Sequence, residues 1–417
     1  METLALLAMA LPLLEMDKAA GHSAYARGDF AAAGRHFSSA LARCEEGASR
    51  CAAIAWANVG AAHQARGDLA EAVAAYEWSR RIWKQLGGDD DEAAVLLGNL
   101  AAVKRMQGDY REAERLHDES LGMLERLHGP GDFRLAAGWI GLGMVHMVMG
   151  GHREAEGWFR RALDARGLPD GIRSTGLRAL GELLSVTNRP RAAVPVLTAA
   201  VVLRERLYGP DHAQTAAARS SLGYARLALR DYRLAERHLR RALPALAGSE
   251  RAAALHNLGQ ARRLQGRRKE AEVHIRQAIS AWESMAGAEQ PNIASALVNL
   301  AALQADKGDA AGAEASLRRA LEIDRRRLGA SHPHVARDLA GLAAVCKQSR
   351  RYGEAENLYR EALAAHEASG AAVTLRQAEW LEAQADLLRR MERNAEAARQ
   401  EAKAMGIRFR QALGGVR

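Results

Sequence analysis

The sequence predicts an all-α protein in which helical hairpins stack side by side into an α-solenoid. Hydrophobic residues make up 48% of the 417 residues while aromatic residues make up only 5%, a composition that favours helices over strands. Within residues 328–366, Leu339 and Leu342 recur at helical spacing before a polar turn, and Ala355 and Tyr359 do so after it. Each of these helices has one apolar stripe, so a hairpin needs neighbours to bury its surface.

Similar hairpins repeat along the chain with a nearly constant period, and adjacent hairpins can bury each other's apolar stripes. One position, here called the turn residue, opens the polar turn of each hairpin, and successive turn residues lie 39, 41, 42, 38, 42, 36, 42, 42 and 42 positions apart. The turn residues are Gly28, Gly67, Gly108, Gly150, Asn188, Arg230, Gly266, Gly308, Arg350 and Glu392. A period of this length is typical of a repeat array, so the sequence predicts ten repeats.

The repeats agree position by position. Alanine stands five residues after every turn residue, at Ala33, Ala72, Ala113, Ala155, Ala193, Ala235, Ala271, Ala313, Ala355 and Ala397. Gly or Ala stands seven residues before it, as at Gly60 and Gly143, and a large residue follows nine positions after it, as at Tyr76 and Phe159. Small residues allow two antiparallel helices to approach closely, and the large ones fill the remaining space.

This pattern resembles the tetratricopeptide repeat, which carries W-x2-L-G-x2-Y followed by A-x3-F and a later Ala. The matching residues of the second repeat are Trp56, Val59, Gly60, His63, Ala72, Tyr76 and Ser79. The 42-residue period and the linker Leu328–Ala336 resemble the subclass found in kinesin light chains. The resemblance implies a right-handed superhelix whose first helices line a concave, peptide-binding groove. The Ala-, Gly- and Arg-rich composition is typical of a GC-rich bacterial genome, so we expect a bacterial source.

We expect three segments: residues 1–13 as an apolar N-terminal helix or a leader, residues 14–405 as a single solenoid, and residues 406–417 as a C-terminal tail. Glu2 and the lack of an early Lys or Arg are poor features for a leader. We therefore expect a cytoplasmic protein, with export as the alternative. No stretch is long and apolar enough to predict a membrane span. The sequence does not indicate an oligomeric state.

The cysteines form no CxxC pair, so a structural zinc site is not expected. Cys44 and Cys51 flank a predicted loop, where they could form a disulfide in an exported protein. The alternative, which the composition favours, is two small buried or half-buried thiols. His332 and His334 lie in the linker of the repeat and are not expected to bind a metal.

The sequence contains no P-loop, no G-x-S-x-G elbow and no HExxH, so we predict a non-enzyme without a cofactor. The net charge of +9 comes mainly from arginine. Acidic residues alternate with these arginines at helical spacing, as on a solvated, ion-paired surface, so nucleic acid is not expected as a partner.

The resemblance also implies where a partner would bind. In this family the position nine before the turn residue often carries an Asn that bonds the backbone or a carboxylate of a peptide, and here it holds Asn58, Asn99, Asn257 and Asn299. The predicted neighbours on the same face are Arg105, Ile140, Met144, Met147, Tyr224, His256, Gln260 and Arg263. Two alternatives stay open: that the Asn residues bond the preceding helix instead, and that the Met stripe belongs to the core.

These residues predict a scaffold or adaptor that grips a protein or peptide segment carrying acidic and bulky apolar residues. Two other classes stay open: an exported envelope or assembly factor that uses the same groove, and a regulatory sensor module of a signalling system.

Overall fold

The computed structural model describes residues 2–44, 48–87, 89–286, 291–369 and 374–414, with side chains for all of these except 2–12, 286, 291, 413 and 414. Within that part of the chain all regular structure is helical. The chain divides into two compact units, Met1–Gly209 and Pro210–Arg417. Each unit is a solenoid of five helical hairpins, one for each predicted repeat.

In its described residues the first unit contains ten α-helices: α1 (Glu2–Ala26), α2 (Phe30–Ala42), α3 (Arg50–Arg66), α4 (Leu69–Leu86), α5 (Asp91–Met106), α6 (Tyr110–His128), α7 (Ala136–Val148), α8 (His152–Leu163), α9 (Asp170–Val186) and α10 (Pro190–Tyr208). The second unit contains ten more: α11 (Ala213–Ala228), α12 (Tyr232–Ala242), α13 (Gly248–Leu264), α14 (Arg268–Ala286), α15 (Pro291–Asp306), α16 (Ala310–Leu328), α17 (Pro333–Gln348), α18 (Tyr352–Ala368), α19 (Leu375–Arg390) and α20 (Asn394–Gly414). Short 3-10 turns at Phe133–Leu135 and Leu243–Ala245 precede α7 and follow α12.

The odd-numbered helices are the first helices of the hairpins, and they form one face of each unit. Within the first unit α3 contacts α5, α5 contacts α7 and α7 contacts α9; within the second unit the series runs from α11 to α19. Second helices of successive hairpins make fewer such contacts with one another. The first helices therefore lie on the concave side of each unit, where the resemblance had placed the groove.

The turn residues share one backbone conformation, which explains the period. All ten have a positive φ, including the four that are not glycine: Asn188, Arg230, Arg350 and Glu392. The amide of the next residue then bonds back into the last turn, as the Asp68 amide does to the His63 carbonyl at 3.0 Å. This left-handed ending closes the first helix and starts the return of the chain.

The alanines five residues later are the contact points of the helix pairs, as predicted. Every one of them has 0% exposure. Large side chains cover the small residues opposite: a Cβ added at Gly60 would lie 2.7 Å from the Tyr76 ring, and one at Gly143 would lie 2.4 Å from Phe159. The predicted close approach of the two helices is therefore present in both hairpins.

The first and last helices run past the predicted segment boundaries at residues 13 and 405. Helix α1 continues through residue 13 without a break, so the N-terminal segment and the first helix of repeat one are continuous. Helix α20 continues past residue 405, and Ile407 packs with Ala404 against Ala378 and Leu381. Residues 406–414 are therefore part of the last hairpin rather than a tail, because Ile407 keeps the apolar spacing of α20. Residues 415–417 lie outside the described part.

Cys44 and Cys51 are joined by a disulfide, with their Cα atoms 5.7 Å apart. The two-thiol interpretation that the composition favoured is therefore wrong for this pair. The bridge links the end of α2 to the start of α3 and closes the connection between repeats one and two. Cys346 is a buried free thiol in the second unit. None of the described helices combines the length and apolar character needed to cross a membrane.

Candidate partner-binding surfaces

The first unit contains a cavity of about 400 Å³ on its concave side. Helices α1, α3 and α5 form its walls. The polar lining consists of His22, Tyr25, Asn58, Gln64, Tyr76 and Asn99, and the remaining lining of Phe37, Ala61, Ala65 and Met106. The cavity therefore brings together two of the predicted Asn residues, Asn58 and Asn99.

Packing below the cavity holds its walls in place. The buried Tyr76 hydroxyl donates a hydrogen bond to the Gln64 Oε1 atom at 2.8 Å, and the His22 ring meets Phe37 edge-on with centroids 5.2 Å apart. Burial raises the pKa values of both Tyr25 and Tyr76, so both hydroxyls are neutral donors near pH 7. Gln64 is thus fixed from below by Tyr76.

The side-chain amides of Asn58 and Asn99 make no hydrogen bond to another residue in the described part of the chain. Both side chains are partly exposed. An amide in such a position can donate and accept at once, which suits a peptide backbone. Sequence reasoning missed His22, Tyr25 and Gln64, although a signal existed: they stand six or three residues before a turn residue, on the helix face of the Asn positions.

In the later repeats of the first unit, the predicted site residues lie in different environments, some buried and some partly exposed. Ile140 is only 4% exposed and packs toward Gly176 of α9, so it belongs to the core and not to the groove. Met144 and Met147 are partly exposed on α7. Burial lowers the pKa of Arg105, and the charge of Arg178 lowers it further. No acidic side chain in the described part of the chain forms an ion pair with Arg105.

In the second unit the predicted residues form a hydrogen-bonded cluster. The Asn299 Nδ2 atom lies 2.8 Å from the His256 Nε2 atom, and the Gln260 Nε2 atom lies 3.4 Å from the same nitrogen. Asn299 also donates to the Ser295 carbonyl at 3.2 Å. Asn299 therefore bonds the preceding first helix, which is the structural alternative that the sequence left open.

Burial lowers the pKa of His256 to about 4, so this imidazole is neutral near pH 7 and can accept the Asn299 hydrogen bond. Its ring meets Trp282 edge-on, with centroids 5.9 Å apart. Trp282 in turn donates to the Ser249 hydroxyl at 3.3 Å. Sequence reasoning missed Trp282, which comes from the second helix of the hairpin and reaches His256 from below.

The other predicted residues of the second unit are more open. The Asn257 amide is not engaged by a described residue, and Tyr224 is 38% exposed. The Arg263 Nε atom is buried and has no hydrogen-bond partner within the described ranges. Among the described residues no group of His, Cys, Asp or Glu side chains is arranged to hold a metal ion.

Family comparisons agree with this geometry. A tetratricopeptide-repeat model matches residues 51–126, 91–168, 172–247 and 292–368, and a second one matches residues 251–292. The chain is a tetratricopeptide-repeat protein. The matches cover well over half of its length and both units. A comparison with curated protein sequences finds no match.

Solved structures similar to this tetratricopeptide-repeat protein differ in how much of it they cover. A Rap protein complexed with Competence and Sporulation Factor has a TM-score of 0.57 at 13% identity, covering 86% of this chain and 98% of that chain. At this identity the likeness concerns the fold alone. BtubC (BKLC) from P. vanneervenii has a TM-score of 0.44 at 21% identity, covering 52% and 92%. Kinesin light chain TPR-like repeats from Podosopora anserina have a TM-score of 0.40 at 20% identity, covering 49% and 100%.

Proposed function

We propose that this protein is a non-catalytic scaffold or adaptor that binds an extended segment of a partner protein in the concave groove of its first unit. The tetratricopeptide-repeat fold is typical of protein–protein interaction. The observation that carries the specific proposal is the cavity in which the unengaged amides of Asn58 and Asn99 face the same space. Two amides on neighbouring first helices can each bond one peptide unit of an extended segment.

The lining indicates what such a segment carries. Tyr25 and Met106 offer apolar surface beside the two amides, which suits a bulky apolar side chain. Arg105 lies on the same first-helix face, three residues before its turn residue, and its uncompensated charge suits an acidic side chain. The proposed ligand is therefore an extended segment with acidic and bulky apolar residues.

The test is an affinity capture from native lysate with three forms of the full chain: wild type, Asn58→Ala/Asn99→Ala, and Asn257→Ala. Asn257 is the matched control, because it has the same repeat position and an equally free amide in the second unit. We expect a partner that the wild type and Asn257→Ala retain and the double variant loses. Circular dichroism checks that all three are equally helical.

Two results would contradict the proposal. Equal retention by all three forms would place binding on the second helices or the loops. Loss with Asn257→Ala alone would place it in the second unit, and an Asn257→Ala/Asn299→Ala/Arg263→Ala variant would then locate it there.

The Cys44–Cys51 disulfide favours a second candidate, an exported assembly factor that uses the same groove, because disulfides persist in oxidising compartments. Intact-mass analysis of protein purified from its native source under non-reducing conditions would test it. A bridged chain with a shortened N-terminus supports export. Two free thiols on a chain that begins at Met1 contradict it.

A further inference from the structure

The last two hairpins of the second unit form a cleft on their convex side that differs from its counterparts. Helices α18 and α20 form its walls and α19 its floor, and its volume is about 490 Å³. Gln377, Gln384 and Gln400 line it together with Leu363, Leu381 and Ile407. Asp386, on the concave side of α19, is two positions from Gln384 and so points the other way.

The three glutamines leave acceptors without donors. Gln377 is 7% exposed and Gln384 is 6% exposed. The Oε1 atoms of both, as well as that of Gln400, are buried and have no hydrogen-bond partner among the described residues. A buried carbonyl oxygen that lacks a donor destabilises a folded protein. The described residues therefore leave three acceptors in this cleft whose donors must come from elsewhere.

In the equivalent cleft two repeats earlier, no buried side-chain acceptor of the described lining residues lacks a hydrogen-bond donor. Helices α14 and α16 form its walls and α15 its floor, where Leu300 occupies the position of Gln384. The buried Gln304 of that cleft is satisfied, because its Oε1 atom accepts from the Ser316 hydroxyl at 2.8 Å. The position of Gln384, eight before the turn residue, is apolar in the other nine repeats: Ala20, Val59, Leu100, Leu142, Leu180, Leu222, Leu258, Leu300 and Leu342.

The rims of the two clefts also differ. An ion pair between Glu283 and Arg319, 2.6 Å apart, joins the walls of the earlier cleft. The corresponding residues of the last cleft are Glu367 and Lys403, and in the described part of the chain no ion pair joins them. The walls of the last cleft therefore lack the ion pair that joins the walls of its counterpart among the described residues.

The lining of the last cleft contains more cationic than acidic side chains. Lys403, Arg410 and Arg360 line the cleft, and Glu367 is the single carboxylate among its lining residues. The Arg360 guanidinium bonds only the neutral Asn357 side chain among the described residues. Three cations that no described carboxylate pairs with favour an anionic ligand.

We propose that this cleft binds an extended acidic peptide segment of a partner protein. On binding, the glutamine side chains, whose carbonyl oxygens are buried in the ligand-free chain, turn toward the cleft opening and accept hydrogen bonds from the backbone amides of the segment. The carboxylates of the segment meet Lys403, Arg410 and Arg360. Peptide is favoured over nucleic acid because the cleft lining contains no aromatic side chain on which a base could stack. This site is separate from the groove of the first unit, and neither proposal depends on the other.

The test is a selection of random peptides displayed on phage, with the wild-type full chain as target and counter-selection on Gln377→Ile/Gln384→Leu. These substitutions copy Ile293 and Leu300 of the earlier repeat, so the variant should fold. We expect enriched peptides rich in Asp and Glu that bind the wild type at least about tenfold more tightly than this variant and than Lys403→Glu/Arg410→Glu. Asn58→Ala/Asn99→Ala should bind them as the wild type does, which separates this site from the groove.

Thermal unfolding of the ligand-free chain tests the unsatisfied glutamine independently of the selection. Gln384→Leu should raise the thermal unfolding midpoint of the ligand-free chain, because it removes a buried acceptor that has no donor. A lowered midpoint would overturn the proposal, since Gln384 would then be satisfied within the fold. Enrichment of basic or neutral peptides, displacement of the peptides by single-stranded DNA, or self-association of the wild type that the glutamine variant loses would each overturn it as well.

Discussion

The two units place the same residue at the same repeat position and use it differently. Asn99 in the first unit has a free amide that lines a cavity, whereas Asn299 in the second unit is bonded to His256. The difference comes from the preceding repeat, at the position ten residues before its turn residue. In the repeat that precedes Asn299 this position holds His256, whereas in the repeat that precedes Asn99 it holds Ala57. A partner on the preceding first helix therefore decides whether an Asn at this position stabilises the stack or stays available for a ligand.

The largest expected contrast concerns the tryptophans below the two faces. Trp282 is 1% exposed, while Trp83, at the same repeat position in the first unit, is partly exposed and has the Arg50 guanidinium 5.5 Å from its ring centroid. Trp282→Ala should lower the free energy of unfolding by about 3–5 kcal/mol, because it leaves a buried cavity and removes the support of His256. Trp83→Ala should cost clearly less.

Hydrogen exchange of the full chain measures this contrast, since a repeat array can open locally. The Trp282 variant should lose protection mainly in α13 to α15. Equal losses in the two variants would show that the two units support their concave faces in the same way.

The next effect belongs to the first unit alone. Reduction of the Cys44–Cys51 disulfide should destabilise α2 and α3 by roughly 2 kcal/mol, because a short closed loop regains conformational freedom in the unfolded state. Protection of the second unit should not change, as its Cys346 is already a free thiol. The control is a Cys44→Ser/Cys51→Ser variant, whose protection should not change when reductant is added. Loss of protection throughout the chain would contradict a local role for the bridge.

Much of the fold was predictable because the repeat is marked by residue types that its backbone conformation and close helix packing require. The turn residues all have a positive φ, and the alanines five positions later are all buried. The site was harder to predict, because position nine before the turn residue fixes a face but not its partners. The His256–Asn299 bond joins residues of two different repeats, and Trp282 reaches His256 from a second helix. Ile140 was misplaced because one apolar face serves both core and groove.

The matched Asn pair gives a smaller effect. Asn299→Ala should destabilise the second unit by about 1–2 kcal/mol, because it leaves the His256 nitrogen without its closest hydrogen-bond donor. Asn99→Ala should change the free energy of unfolding by less than about 0.5 kcal/mol, since no described residue bonds its amide. Calorimetry of the two variants under the same conditions measures both values. A loss with Asn99→Ala as large as that with Asn299→Ala would assign both residues to the stack.

The smallest effect is a pH dependence that reports on His256. Burial lowers its pKa from 6.5 to about 4, so below pH 6.5 the unfolded chain binds a proton that the folded chain does not. Stability is therefore lost as the pH falls through 6.5, and the loss levels off near pH 4. Between about pH 7.5 and pH 6 the share of His256 is only about 0.8 kcal/mol. His117 of the first unit, whose pKa burial also lowers to about 4, contributes in the same direction.

The variant His256→Gln isolates the share of the second unit, because His117 titrates in both forms. The difference in unfolding free energy between wild type and variant should shrink by about 0.8 kcal/mol over that pH range. A constant difference would mean that His256 titrates alike in the folded and unfolded chains. It would then be as accessible to water as the cavity amides of the first unit, and the contrast between Asn99 and Asn299 would lose its physical basis.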